Sequence, residues 1–368
     1  MGNIKDFSGN KGEWSEPYVV LKLASEGLLR QADATMQPSA EKFARILKIV
    51  REDLEVEIED DGSAIFRFVD EAGKHHNLYV PFGGASNKAK KLLNSILNIK
   101  QVKGSFELPE VAEELQYLGF SQLKNPIPKG QRFIKRDLSL MIQDPNTGVA
   151  PTLGFSVKSE LGSAPTLLNA SKQTNIIYRI YGINDSIMDK LNKIATPNKI
   201  HDRCAYLASQ ASDIKFHAYQ SNTFMRNLQI IDGDLPQMLA DATLCHYTKN
   251  ILRLSDVVKH LSKSARYVDC DPVFCSVKIK RFLRACALGM VPSEPWRDYD
   301  DATGGYVIVL PNGELIAFYI YNRALFDNYL YESTKFEHGD IGRHDYMSVY
   351  KENDRYYVKF NVQIRFTR

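Results

Sequence analysis

Apolar positions first recur at helical spacing between Ser15 and Leu29, where Val20, Leu21, Leu23, Ala24 and Leu28 share a face. With Ser15 able to cap and Pro17 tolerated in a first turn, the pattern predicts a helix over 15–29. A second helix is predicted over 39–52, then strands over 54–59 and 64–69 joined by a turn of Asp60, Asp61 and Gly62. Helices over 86–98 and 109–117 follow, the latter stopping at Leu118 and Gly119. "RDLSLMIQ" alternates, "DPNTG" has tight-turn composition, and "APTLGFSVKS" returns as an apolar strand, so a β-hairpin is expected. After Gly162, "PTLLNASKQT" reads as a short helix capped by Thr166, and "NIIYRIYGI" as a β-branched and aromatic strand. From roughly 186 to 290 the pattern is mostly helical, stopped by Gly289 and Pro292. A hairpin "YVIVLPNGELIAFYIY", a helix over 324–332 and a last hairpin turning at Asn353 and Asp354 then form a second, α+β unit.

The middle hairpin carries the chemistry. With its turn centred between Asn146 and Thr147, facing residues sum to 293, which sets Leu138 against Phe155, Leu140 against Leu153 and Ile142 against Pro151. Asp137 then faces Ser156, and Lys158 lies two residues further along that same face. Asp144 is a rival acid, but it faces Val149, about 23 Å along the strand from Ser156 at ~3.3 Å per residue, so it is assigned to the turn. A carboxylate and an ammonium on adjacent strands suit phosphodiester cleavage: the acid holds Mg²⁺ and the ammonium offsets developing charge or orients water. The competing reading is an ordinary exposed cross-strand ion pair.

Length and composition narrow the class. The chain has 368 residues, 44% apolar and 25% charged, which suits a globular protein of about two domains at ~100–200 residues each. No run of 18 apolar residues suggests a membrane span, and "MGNIKDFSGNKGEW" lacks a secretory pattern, so a cytoplasmic location with no membrane partner is expected. Five cysteines form no CxxC pair, and Cys270, Cys275 and His260 match no standard zinc spacing. The net charge of +3 diagnoses no polyanion partner, but Lys249 to Arg284 is locally basic. That segment is either a solvated helical surface or a phosphate-contacting face.

The blocks "GNKGEWSE" at 9–16, "KRDLSLMI" at 135–142, "GFSVKSELGSAPTLLNASKQTN" at 154–175, "RHDY" at 343–346 and "KFNVQIRF" at 359–366 run in order along nearly the whole chain. Together they resemble the HpaII family of type II restriction endonucleases. The order of elements is also similar to the looser PD-(D/E)XK nuclease core. The resemblance implies an α/β fold, a mixed central sheet flanked by helices in a nuclease core at 1–185, with a helical and α+β DNA-recognition region at 186–368. It further implies Mg²⁺-dependent cleavage of double-stranded DNA at a short palindrome containing CCGG, a homodimer on that DNA, and a cognate DNA methyltransferase. Alternatives are a repair or junction-processing nuclease of the same superfamily, and a catalytically inactive DNA-binding protein.

Carried onto these positions, Asp137 and Lys158 match the motif aspartate and lysine, while Ser156 stands where the motif has Asp or Glu. A neutral hydroxyl binds a hard cation weakly, so a second carboxylate is expected from elsewhere. Glu16, on a helix able to aim it at the strand ends, is the first choice; its place in "GEWSE" resembles the helix glutamate of related nucleases. Glu13 and Glu160 follow, the latter about 13 Å from Ser156 on an extended strand. Asn169, Ser171 and Thr174 can hold phosphate or simply cap backbone. Lys280, Arg281, Arg343 and His344 complete the expected DNA contacts.

Overall fold

The computed structural model describes residues 7–33, 35–100, 104–131, 134–143, 148–271, 273–319 and 322–367. The turn expected at Asp144 to Thr147 lies outside the described residues. The chain divides into two compact units, Met1–Pro165 with Asp300–Phe326, and Thr166–Tyr299 with Asp327–Arg368. The boundary expected at 185/186 lies within the second unit, which begins at Thr166, and the chain returns to the first at Asp300 for a later hairpin.

Among the described residues of the first unit, nine strands form one sheet. They are β2 (Leu28–Ala32), β3 (Pro38–Val50), β4 (Leu54–Ile58), β5 (Ser63–Val69), β6 (His75–Pro81), β8 (Leu138–Gln143), β9 (Thr152–Ser159), β13 (Gly305–Val309) and β14 (Leu315–Tyr319). Their order is β2-β14-β13-β9-β8-β3-β4-β5-β6, and β2 also pairs with β3, which closes six of them into a ring. A short pair, β1 (Ser8–Gly9) and β7 (Phe106–Glu107), stands apart. The β8–β9 register has Leu138 opposite Phe155 and Leu140 opposite Leu153, as the alternation predicts.

α1 (Lys11–Glu26) packs on β9 and on α2 (Phe82–Asn98), and α3 (Pro109–Tyr117) follows. α1 begins four residues earlier than expected. Asn10 caps it, accepting from the Gly12 and Glu13 amides at 2.9 and 3.2 Å while Glu13 accepts from the Asn10 amide at 2.7 Å. Ser15 is thus inside the helix, and Glu16 lies in its second turn. Trp14, Val19, Val20 and Leu23 are fully buried, each contributing roughly 1.5–3 kcal/mol by removal from water.

The segment 39–52, expected as a helix, is strand β3. Its backbone bonds to β2, β4 and β8, and its apolar residues Ala44, Ile46 and Ile49 are buried, with a register shift between Ile46 and Lys48. Paired neighbours on both edges override a helix-compatible local pattern. β6 also lies where no element was expected.

The second unit holds β10 (Thr166–Leu168), β11 (Asn175–Tyr181), α4 (Asp185–Lys193), α5 (Lys199–Gln210), β12 (Asp213–Tyr219), α6 (Asn222–Ile231), α7 (Leu235–Lys249), α8 (Leu254–Leu261) and α9 (Phe274–Leu288). Beyond α10 (Arg323–Glu332), which runs through the division, come β15 (Thr334–Phe336), α11 (Ile341–His344), β16 (Val349–Glu352), β17 (Arg355–Asn361) and β18 (Ile364–Phe366). Strands order as β12-β11-β17-β16 and as β10-β18-β15. The first of these sheets packs on α7 through Tyr178 and Tyr219, whose hydroxyls donate to the Ala240 and Pro236 carbonyls at 2.7 Å each. The short helix expected after Gly162 is instead β10 and a single 3₁₀ turn at Lys172–Thr174.

Candidate active site

Asp137 immediately precedes β8, and its amide donates to the Phe155 carbonyl at 2.8 Å, so the ladder fixes its backbone. One oxygen, Oδ2, accepts from Ser156 Oγ at 3.0 Å and from the Val157 amide at 2.6 Å. Lys158 Nζ donates to Ser156 Oγ at 2.8 Å and to the Val157 carbonyl at 3.2 Å, and lies 5.0 Å over the Tyr306 ring. Ser156 is 1% exposed and links acid to lysine. Asp137 and Lys158 are half-buried, unlike an ordinary exposed cross-strand ion pair, because β13 runs beside β9 and brings Tyr306 under the amine.

α1 carries Glu16, the first choice for a second acid. Ser15 Oγ donates to Ser159 Oγ at 2.7 Å, tying the helix to β9, and the next residue is Glu16. Glu16 is 8% exposed, and its Oε2 accepts the Asn125 amide at 3.1 Å. Burial and then the neighbouring Asp137 charge hold its carboxyl well above the usual carboxylate range, opposed by Arg51, the Asn125 amide and Lys124. Burial also pushes the Lys158 amine down, against the pull of Asp137 and Glu16. Two acids and one amine therefore feel one another inside a poorly hydrated corner of the sheet.

The other candidate acids are placed differently. Glu13 completes the helix cap and pairs with Lys124 at 2.5 Å. Glu160 is exposed beyond the end of β9, and its carboxyl is raised by partial burial alone, with no contribution from Asp137.

A family model for the HpaII restriction endonuclease matches residues 10–366. The chain belongs to the HpaII restriction endonuclease family. The type II restriction enzyme HpaII of Haemophilus parainfluenzae is 36% identical over 363 residues, 98% of this chain and 99% of that protein. No solved structure matches the chain. As a member of the HpaII family it is a type II restriction enzyme homologue, a site-specific deoxyribonuclease.

The DNA-contact candidates of this HpaII-family chain lie in the second unit: the Ser171 and His344 carbonyls are bound by the hydrogen-bonded Asn175–Asn361 amide pair, while Lys280 and Arg281 lie on α9. Asn169 is exposed. The Ser171 amide donates to Thr174 Oγ1 at 3.2 Å and its carbonyl accepts from Asn361 Nδ2 at 2.7 Å, local bonding of the kind that shapes a turn. Lys280 donates to Asn328 at 2.7 Å, and Arg281 pairs with Asp232 at 3.4 Å, as does Lys278. The α9 part of the basic segment is thus matched to acids and amides. Arg343 is exposed, and His344 gives its carbonyl to Asn175 Nδ2 at 2.8 Å.

Sequence reasoning missed Tyr306, Arg51, Asn125 and Asp301. Asp301 accepts the Lys135 and Arg136 amides, the latter at 3.1 Å, and pairs with the Arg136 guanidinium at 2.5 Å, so it braces the approach to Asp137. None sits in a motif. Each comes from a segment distant in sequence, and only pairing of β13 with β9 or folding of the 120–125 segment brings it near.

Proposed function

We propose that Asp137, Glu16, Ser156 and Lys158 form the catalytic centre of a PD-(D/E)XK-type core that hydrolyses a phosphodiester in each strand of duplex DNA with Mg²⁺. The observation that carries this reading is the convergence of Asp137 and Lys158 on Ser156 in the β8–β9 hairpin, with Glu16 of α1 near enough for its charge to act on both. Among the described residues no group of three or more His, Cys, Asp or Glu side chains is arranged to hold a metal. The donor set is nonetheless suitable for Mg²⁺, which keeps several waters and takes one or two carboxylates. Asp137 and Glu16 would hold it, with Glu160 set aside by its exposure.

A bound divalent cation supplies positive charge against the phosphate oxygens. Lys158 has three donors, two of them given to Ser156 and the Val157 carbonyl, and the third is directed to a phosphoryl oxygen as charge develops there. Ser156 holds the amine and shares its oxygen with Asp137, keeping the lysine beside the acid it must not simply neutralise. The half-buried setting excludes bulk water and strengthens each of these interactions.

The substrate is duplex DNA, cut at a short palindrome containing CCGG, with two copies of the chain related by a two-fold axis on the site. The second unit reads bases, and a cognate methyltransferase protects the same sequence in the cell's own DNA. Incubation with mixed plasmids and Mg²⁺, followed by sequencing of fragment ends, tests the reading. Discrete fragments ending within CCGG support it; a smear, structure-dependent cutting or binding without cleavage refutes it.

A further inference from the structure

Arg51 is a charged side chain with no role in the reaction as described, yet its side chain is 0% exposed. It follows β3 in the turn leading into β4, where its amide donates to the Leu54 carbonyl at 2.9 Å. A guanidinium removed from water costs several kcal/mol unless every donor is matched. Here Nε and Nη2 donate to the two oxygens of Asp53 at 2.9 and 3.2 Å. Nη1 donates to the Leu123 carbonyl at 3.0 Å, and Nη2 donates to the Gln122 and Lys124 carbonyls, also at 3.0 Å. The Phe120 ring lies 5.0 Å beneath the guanidinium.

Three successive carbonyls, from Gln122, Leu123 and Lys124, are therefore gathered by one cation. Asp53 completes the clamp by accepting the Ser121 amide at 2.9 Å and its hydroxyl at 3.0 Å. The very next residue is Asn125. Its side-chain Oδ1 accepts the Glu52 amide at 2.9 Å, and its own amide is the donor to Glu16 Oε2 at 3.1 Å. Every residue of the 121–125 segment is thus held by Arg51, Glu52 or Asp53, and the segment's end holds Glu16.

We infer that Arg51 and Asp53 are positioning residues, which fix the 121–125 segment so that the Asn125 amide keeps the Glu16 carboxylate turned toward Asp137 for a divalent cation. This rests on the proposed role of Glu16. A fork of five donors is what the task requires: lysine, a point charge on a flexible stem, cannot collect three carbonyls and a carboxylate together. The Arg51 charge also opposes the burial and the Asp137 repulsion that raise the Glu16 carboxyl.

Divalent-cation affinity separates positioning from simple packing. In Asp53→Asn, Asn125→Ala and Arg51→Lys, Mn²⁺ binding is measured by titration, duplex affinity by anisotropy without metal, folding by thermal melting, and cleavage against Mg²⁺ concentration. Variants that stay folded and bind duplex like the parent but need about tenfold or more cation, both for Mn²⁺ binding and for half-maximal cleavage, bear the inference out. Should Arg51→Lys fail to fold, Asn125→Ala decides, since it removes only the bond to the Glu52 amide and leaves the guanidinium in place. Folded variants with the parent's cation affinity overturn the inference while Glu16→Gln still weakens binding. If Glu16→Gln itself binds cation like the parent, the reading of the site and the inference fall together.

Discussion

Ser156 stands between an acid and an amine, and its neutrality sets what its neighbours must do. It donates to Asp137 and accepts from Lys158, so it can relay position but brings no charge to a cation. In the proposed site the charge offered to a cation then comes from Asp137 and Glu16, and removal of either should be severe. Asp137→Ala and Lys158→Ala are expected to lower single-turnover cleavage by about a thousandfold or more while melting near the parent, in line with loss of a group acting directly on the transition state. Glu16→Gln should be similarly impaired and Glu160→Gln within a few-fold of the parent. A severe Glu160→Gln defect with a mild Glu16→Gln one would transfer the second carboxylate to the strand end. The hydroxyl can be tested too: Ser156→Ala should retain the fold and lose about ten- to a hundredfold in rate, because the amine loses the shorter of its two hydrogen bonds.

At the level of elements, α1 and the β8–β9 hairpin carry the proposed site, and both are legible in the sequence for physical reasons. A tight-turn composition between alternating segments leaves only one register that sets Leu138, Leu140 and Ile142 against apolar partners, and the ladder adopts it. Periodicity located α1, although its start was misread because Ser15 resembles a cap, while Asn10 with Glu13 performs the capping and Ser15 faces Ser159 instead. Two elements could not be read locally. β3 has a helix-compatible pattern that only its paired neighbours overrule, and β13 reaches β9 from nearly 150 residues away, Tyr306 pairing with Ser156. The strand read in "NIIYRIYGI" is β11, which pairs with β12 and β17. If α1 is the rigid mount for Glu16, loosening its packing should show in stability before chemistry. Leu23→Ala, at a fully buried position, is expected to cost about 2–5 kcal/mol in urea unfolding yet leave cleavage of the folded fraction near the parent rate.

For the molecule as a whole, stability should depend on pH through a pair of histidines far in sequence from the catalytic blocks. His246 is 1% exposed, stacked on Phe336 at 4.9 Å and packed against His338 at 4.8 Å, with Nδ1 bonded to the Ile251 carbonyl at 2.8 Å. Burial first, and the His338 ring as a lesser influence, push His246 down to about 4, against the modest opposing effect of the Ile251 carbonyl; His338 is lowered by burial as well. The sign follows from which state binds the proton. In the unfolded chain His246 titrates near its ordinary value of about 6.5, whereas the native ring stays neutral until about 4, so the unfolded state takes up the proton first. The neutral pair's contribution is therefore complete above about pH 6.5 and is lost as pH falls toward 4. One such group gives a slope approaching about 1.4 kcal/mol per pH unit inside that window. Urea midpoints measured from pH 7 to 4.5 should fall more steeply for the parent than for His246→Phe, whose ring keeps the stacking but takes no proton. Parallel pH curves for the two proteins would mean that the native histidine is already able to charge where it lies, and that acid sensitivity resides in the carboxylates instead.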